Sequence, residues 1–144
     1  MRFILTAIAY LSLAAPAFAA EPVTLGVKVI YAHNKATGID PKLKKLAKDL
    51  SSLKFTAYEL KDEAQLSLEL GATGRVQLPT KEWLFVKPRD IDQYGKLRVD
   101  LEIEKIKLKT TSIIAKDGTL AIGGPAFQDG TLILAISREA AKAE

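Results

Sequence analysis

The side chains in this sequence that could do chemistry are one histidine, a few carboxylates, a glycine-rich segment and two groups of lysines. His33 is the sole histidine of the 144 residues, and it lies beside Asn34 and close to Asp40. An imidazole can act as a general base or bind a metal. A hydrolase with a Ser/His/Asp triad would need a serine within G-x-S-x-G, however, and a zinc site would need several His or Cys ligands. Neither pattern occurs and the chain has no cysteine, so we expect His33 to be a solvated loop residue.

Four carboxylates fall in segments that we interpret as loops, namely Asp62, Glu63, Asp90 and Asp92. Asp90 and Asp92 have the spacing with which a calcium loop begins, but the glycine and the later acidic ligands of such a loop are missing. A carboxylate pair could also hydrolyse a glycoside, provided that folding sets the two groups at the right separation. We expect solvated acids, so a hydrolase is the least favoured of three functional hypotheses.

The segment Gly123–Gly130 (GGPAFQDG) is the most motif-like part of the chain. A phosphate-binding loop would lead into a helix and carry Gly-Lys-Ser/Thr, and a dinucleotide site would carry G-x-G-x-x-G. This segment leads instead into the apolar run Thr131–Ser137 (TLILAIS). We predict that Gly123-Gly124-Pro125 ends one strand and that Asp129-Gly130 turns the chain into the last one. Two adjacent glycines exceed what a turn requires, so we also expect a close approach to the backbone here.

Lysines are concentrated in two places. One group lies on a predicted helix and just after it: Lys42, Lys44, Lys45, Lys48 and Lys54. It would suit a polyanion, a polysaccharide or a lipid headgroup, but we interpret it as the solvated face of an amphipathic helix. The other group alternates along a predicted strand, as an exposed face or a charged sheet edge does: Lys105, Lys107 and Lys109. Aromatic residues are not interleaved with these lysines, so nucleic-acid binding is not expected.

The elements that must position these residues begin with a strand. Apolar residues at every second position of Val23–Ala32 predict one buried face: Val23, Leu25, Val27, Val29 and Tyr31. The polar loop His33–Gly38 follows. Asp40-Pro41 is typical of a helix start, with a capping carboxylate before a proline. An apolar stripe then predicts a helix over about 40–53: Leu43, Leu46, Leu50 and Leu53.

Short strands are predicted for the rest of the chain. They cover 55–60, 64–70, 76–78, 84–86 (closed by Pro88), 97–103 and 131–137. Leu97–Ile103 has the clearest alternation of apolar and charged residues, whereas the unbroken run Leu132–Leu134 indicates a strand buried on both faces. Turns or bulges are predicted at 71–74, 79–81, 89–95 and 104–105, and a two-residue hairpin at Asp117-Gly118. Trp83 and Tyr94 lie beside turns, as residues of the partial core or as interface anchors do.

Residues 1–20 have the pattern of a secretory signal peptide. Arg2 precedes the uncharged apolar run Phe3–Ala15, and Ala17-Phe18-Ala19 is a typical cleavage site. The run is too short to span a bilayer, and no second stretch is long enough. We therefore expect an exported protein, periplasmic or extracellular, with a single globular domain over 21–137 and a polar C-terminal tail over 138–144. The formal net charge of +4 is a mild excess that favours solubility.

Together these patterns predict an α+β fold. We expect a mainly antiparallel β sandwich or half-barrel of about eight or nine short strands, with the single helix covering one side. A parallel α/β fold is disfavoured because there are too few helices for its crossover connections.

The arrangement resembles a group of small exported bacterial proteins of uncharacterised function. The likeness covers most of the chain after residue 20 and rests on these segments in order: Ala32-His33-Asn34, Asp40 with Leu43, Leu46 and Leu50, Phe55–Tyr58, Leu78-Pro79, Gly123-Gly124-Pro125, and Gly130 with Leu132–Ile136. The resemblance implies export and a single domain, and it implies no catalytic residue.

The leading hypothesis is therefore a non-enzymatic exported domain that acts through protein–protein contacts, as an accessory component of an envelope or secretion assembly. Its partner would be another envelope or secreted protein, bound through an exposed sheet edge. The alternative is a binding module for a polyanionic or carbohydrate ligand. No catalytic, cofactor-binding or metal-ligating residue is predicted.

Overall fold

The computed structural model describes residues 22–139, which form nine strands and one short helix. The strands are β1 (Val23–His33), β2 (Gly38–Ile39), β3 (Ala57–Leu68), β4 (Gly74–Gln77), β5 (Trp83–Ile91), β6 (Leu97–Ile103), β7 (Leu108–Ile114), β8 (Thr119–Phe127) and β9 (Gly130–Glu139). A 3-10 turn at Pro41–Leu46 leads into the helix α1 (Ala47–Leu50), and a second 3-10 turn spans Glu104–Ile106. The predicted signal peptide and the tail from residue 140 onward lie outside the described residues, whereas Arg138 and Glu139 belong to β9.

The strands form two sheets. The first has the order β2-β3-β1-β9-β8, and the second has the order β4-β5-β6-β7. All neighbouring strands are antiparallel except β2 and β3, which are parallel. The mainly antiparallel α+β class that the sequence predicts is therefore confirmed.

One buried cluster takes its side chains from both sheets. The predicted inward face of β1 is confirmed, since Leu25, Val27 and Val29 are almost completely buried in it. The apolar face of β6 is confirmed as well. The cluster members are Val23, Leu25, Val27, Val29, Tyr31, Val76, Leu78, Leu84, Val86, Leu97, Val99, Leu101, Ile103, Ile114, Leu132, Leu134 and Ile136. Burial of this apolar surface is the main force that holds the two sheets together.

A second buried cluster lies on the other face of the first sheet. Ile133 and Ala135 of β9 belong to it, so β9 is buried on both faces, as the unbroken apolar run predicts. The 3-10 turn and α1 supply Leu43, Leu46 and Leu50 to the same cluster.

The helical segment starts where the sequence indicates. Asp40 caps it by accepting the N–H of Lys42 through Oδ1 (3.0 Å) and that of Leu60 through Oδ2 (3.3 Å). The α-helix ends at Leu50, whose carbonyl accepts the hydroxyl of Tyr58 (3.0 Å). Of the predicted span of about 40–53, residues 41–46 are 3-10 and only 47–50 are α-helical.

Two predicted strand breaks are absent. The segments 55–60 and 64–70 form the single strand β3, because the register against β1 slips at Val29/Ile30 and leaves Lys61 as a bulge. A bulge reverses the apolar alternation without ending a strand. Likewise Pro88 does not close β5, which continues to Ile91. The register against β6 slips between Pro88 and Asp90, and a bulge tolerates the missing N–H of a proline.

The predicted hairpin at Asp117-Gly118 is wrong in its pairing. The turn is present, with Gly118 donating its N–H to the carbonyl of Ala115 (2.8 Å), but it connects β7 of one sheet to β8 of the other. Ile114 and Leu120 pack on the same inter-sheet cluster from opposite sheets. A turn signal is local, so it does not distinguish strands that pair from strands that face one another across a core.

Candidate functional site

His33 is held by two hydrogen bonds at the end of β1. The backbone N–H of Lys35 donates to its Nδ1 (3.2 Å), and its Nε2 lies 3.2 Å from Oε2 of Glu59. Because Nδ1 accepts, the proton of the neutral ring lies on Nε2, which donates to the carboxylate. The ring stacks on Tyr31 at 4.6 Å and the residue is only 8% exposed. The expectation of a solvated loop histidine is therefore wrong, since β1 extends through His33 and buries it. Neither nitrogen is free to act as a base.

The residues around this histidine are also paired with one another. Phe127 meets the Tyr31 ring edge-on at 5.3 Å, and the ammonium of Lys61 lies 5.5 Å from the centre of the same ring. Lys35 and Asp129 form an exposed ion pair (Nζ–Oδ2 2.5 Å), which raises the pKa of Lys35 through the hydrogen bond and the charge of Asp129. These contacts fasten the β8–β9 turn to the end of β1.

The segment Gly123–Gly130 has a different structure from the predicted one. Gly123-Gly124-Pro125 does not end a strand, because β8 runs to Phe127 with a register slip between Gly123 and Ala126. Gln128 and Asp129 form the turn, and Gln128 has a left-handed φ of 49°. Of the two adjacent glycines where a close approach is expected, Gly123 has open space around it, whereas an added Cβ on Gly124 would lie 3.1 Å from the carbonyl oxygen of Leu132. The closest approach in the segment is at Gly130, where an added Cβ would lie 2.0 Å from the carbonyl oxygen of Ala32. The protein's own backbone fills this space.

The carboxylates considered in the sequence are dispersed. Asp62 and Glu63 lie on β3 and Asp90 on β5, so only Asp92 lies in a turn, where Oδ1 accepts the N–H groups of Tyr94 (2.8 Å) and Lys96 (2.9 Å). The loop placement was wrong for the other three, since both strands continue past a bulge. Asp90 forms an ion pair with Arg98, and the hydrogen bond and charge of Asp90 raise the pKa of the Arg98 guanidinium. Among residues 22–139, no three His, Asp or Glu side chains lie close enough together to hold a metal ion.

The lysines have two different placements. Those of the helical segment are exposed, as expected. Lys105 lies in the second 3-10 turn and Lys107 has a left-handed φ of 53°, so only Lys109 is on β7. The predicted alternation of three lysines along one strand is therefore wrong, because the 3-10 turn interrupts the extended backbone.

The two aromatic residues beside turns are partly or fully accessible. Trp83, at the start of β5, is 37% exposed, and the guanidinium of Arg75 lies over its ring at 4.4 Å. Tyr94 is largely exposed in the β5–β6 turn. Neither belongs to the two buried clusters, which leaves both available for contact with other molecules.

The sheet edges differ in how well they are protected against pairing with another chain. Beyond its short pairing with β2, β3 presents a bulge at Lys61 followed by Asp62 and Glu63, and β4 has only four residues. Charges, bulges and short length all discourage strand addition. The edge of β7, at the other side of the second sheet, carries one charged residue, Lys109, whereas the edge of β8 carries none from Thr119 to Phe127. The sequence does not reveal this difference, because the order of strands in a sheet is set by non-local pairing.

Comparison with protein-family models, with curated proteins and with solved structures finds no match to this chain. None of the helical segments within residues 22–139 has the length and apolar character that crossing a membrane requires. No similarity to a known protein therefore guides the assignment of a function, and the geometry of the described residues has to be considered by itself.

Proposed function

We propose that the protein is a non-enzymatic exported domain, periplasmic or extracellular, that binds a partner protein along the edge of β8. The leader pattern of residues 1–20 supports export. The buried cluster shared by the two sheets supports a β sandwich. Both ring nitrogens of His33 are engaged in hydrogen bonds, which supports a role other than acid–base catalysis. The partner would be another component of an envelope or secretion assembly.

The observation that carries the proposal is the edge of β8, which is uncharged and pairs with no strand other than β9 within residues 22–139. An edge strand presents unpaired N–H and C=O groups, which an extended segment of a partner can use to add a strand. The accessible stretch is Thr119–Gly123, because the register slips between Gly123 and Ala126 and Pro125 has no N–H to donate. Ala121 and Gly123 are exposed along it, whereas Leu120 and Ile122 pack partly on the core. A partner strand of about five residues would fit this length.

The proposal is tested by site-specific crosslinking in the cells that make the protein. A photoreactive amino acid at Ala121 should yield one discrete crosslinked protein. The same substitution at Ser67, an exposed residue of the charged β3 edge, is the matched control and should yield none. Ala121→Lys should abolish co-purification of the captured protein without unfolding the domain, because a charge on an edge opposes strand addition. Equal crosslinking at residues 121 and 67, or capture that Ala121→Lys leaves unchanged, would refute the proposal.

A further inference from the structure

An open cavity of about 290 Å³ lies between two turns of the second sheet, away from the β8 edge. One wall is the turn after β4, which Leu78 and Glu82 close with a backbone hydrogen bond of 2.8 Å. The other wall is the second 3-10 turn, Glu104–Ile106. Trp83 and Phe85 at the start of β5 also line the cavity. Two segments that are distant in sequence, Thr80–Phe85 and Glu104-Lys105, thus enclose one space.

Two polar atoms in this cavity are buried without a partner. Oε2 of Glu82 and the hydroxyl oxygen of Thr80 have no hydrogen bond, although both residues line the space. The side chain of Glu82 is only 11% exposed, and its other oxygen lies 3.6 Å from the ammonium of Lys105, which is beyond hydrogen-bonding distance. A buried carboxylate oxygen without a donor is costly, so its persistence calls for a specific reason. Because this oxygen has almost no accessible surface, a bound molecule can donate a hydrogen bond to it only when the Glu82 side chain turns toward the cavity.

The charges of the lining restrict the class of that molecule. Glu82 and Glu104 contribute two carboxylates, and Lys81 and Lys105 contribute two ammonium groups. The two carboxylates would repel a polyanion, and the two ammonium groups would repel a polycation. A neutral molecule whose hydroxyls both donate and accept can form hydrogen bonds with both kinds of charged group.

The aromatic side chains restrict the shape. The partly exposed Trp83 presents a flat, amphipathic surface, and Arg75, which covers one of its faces, is not part of the lining. An apolar C–H face would pack against such a ring. The volume is at the lower limit for small-molecule sites, which suits a single ring. We propose that this cavity binds a neutral, polyhydroxylated ligand, namely one unit of a saccharide.

The chain offers a direct probe, because Trp83 is its only tryptophan. Titration with glucose, N-acetylglucosamine and their short oligosaccharides, up to about 50 mM to include weak binding, should produce a saturable change in tryptophan fluorescence. Backbone amide shifts in the NMR spectrum should change at residues 80–85 and 104–105 and not on β8. Spermidine and inorganic phosphate, each titrated in the same way, should have no effect.

Two variants separate specific binding from a general effect. Glu82→Gln keeps the shape but replaces one carboxylate oxygen by an amide donor, and it should weaken saccharide binding about tenfold or more. Thr80→Val should weaken it less. Glu69→Gln, a carboxylate outside the cavity, is the control and should bind as the unaltered protein does. The absence of a response to every saccharide, a response confined to spermidine or phosphate, or unchanged binding by Glu82→Gln would each overturn the proposal. Since the amide shifts are measured on the unaltered protein, the test does not depend on the folding of a variant.

Discussion

Gly130 lies directly against Ala32: a Cβ atom built on Gly130 would be 2.0 Å from the carbonyl oxygen of Ala32. The next residue, Thr131, pairs with Ala32 in the ladder between β9 and β1. The start of the last strand is therefore locked to the end of the first, and only a residue without a side chain fits at this position.

Gly130→Ala should accordingly destabilise the fold. We expect a loss of roughly 1–3 kcal/mol or more in the free energy of unfolding, because backbone rather than a flexible side chain must move. Gly123→Ala is the matched control on β8, since a Cβ there meets nothing within 4 Å. It should be neutral or stabilising by up to about 1 kcal/mol. The free energy of unfolding of each variant is measured by urea denaturation. Equal values for Gly130→Ala and Gly123→Ala would contradict the close approach of Gly130 to Ala32.

Removal of the Leu43 side chain should detach the helical segment from the first sheet. Leu43 is fully buried in the cluster that contains Ile133 and Tyr58. Leu43→Ala should lower the free energy of unfolding by about 2–5 kcal/mol, because it leaves a cavity beside β9. The adjacent exposed Lys44 provides the control, and Lys44→Ala should stay within about 0.5 kcal/mol. A small effect of Leu43→Ala in thermal or urea unfolding would show that the segment packs loosely.

Asp100 should make stability depend on pH in the acid range. The hydroxyl of Thr111 (2.6 Å) and then the guanidinium of Arg89 (2.8 Å) donate to its carboxylate and lower its pKa. A carboxyl whose pKa is lower in the folded than in the unfolded state stabilises the fold above the unfolded pKa. That contribution is lost as the pH falls through the folded pKa.

Asp100→Asn should therefore be less stable than the unaltered protein near pH 7, with the difference narrowing as the pH falls through the lowered pKa of Asp100. Thr111→Val should raise the pKa of Asp100 toward its ordinary value, which NMR titration of the carboxyl carbon measures. Glu69→Gln serves as the control for the loss of one carboxylate. An unchanged titration of Asp100 in Thr111→Val would show that the hydroxyl is not the main cause.

The neutral ring of His33 should carry its proton on Nε2. Nitrogen NMR of the neutral ring should show a protonated Nε2 and an unprotonated Nδ1. The assignment is unambiguous because the chain has one histidine. The opposite pattern, or rapid averaging of the two nitrogens, would mean that the bonds from Lys35 and to Glu59 do not persist in solution.

The sequence predicts the local parts of this fold well. The inward faces of β1 and β6 follow from simple alternation, and the double burial of β9 follows from Leu132–Leu134. What fails is the continuity and pairing of strands. Lys61 and Pro88 interrupt a pattern without interrupting a strand, because a bulge absorbs one extra residue. The turn at Asp117-Gly118 fails for another reason, since a turn does not determine which strands become neighbours.

The cavity was less accessible to prediction than the fold. Of its lining, the sequence singles out only Trp83, as an aromatic residue beside a turn, and Lys105, as one of three lysines predicted to alternate along a strand. The importance of Trp83 depends on Glu82, an acid with no motif around it, and on Lys105, which looked like part of a strand. The 3-10 turn that brings Lys105 near Glu82 has no strong local signal, so their proximity emerges only from the register of the second sheet.

The position of β1 and β9 side by side in the first sheet has a consequence for how the chain folds. Thr24 pairs with Glu139, so the central ladder joins the two ends of the described chain. Such non-local pairing makes folding slow, in the range of milliseconds to seconds. While the chain is being synthesised from its N-terminus, β1 has no β9 to pair with, and one of its edges stays unpaired. The central ladder is therefore complete only after Ile136 and its neighbours have emerged.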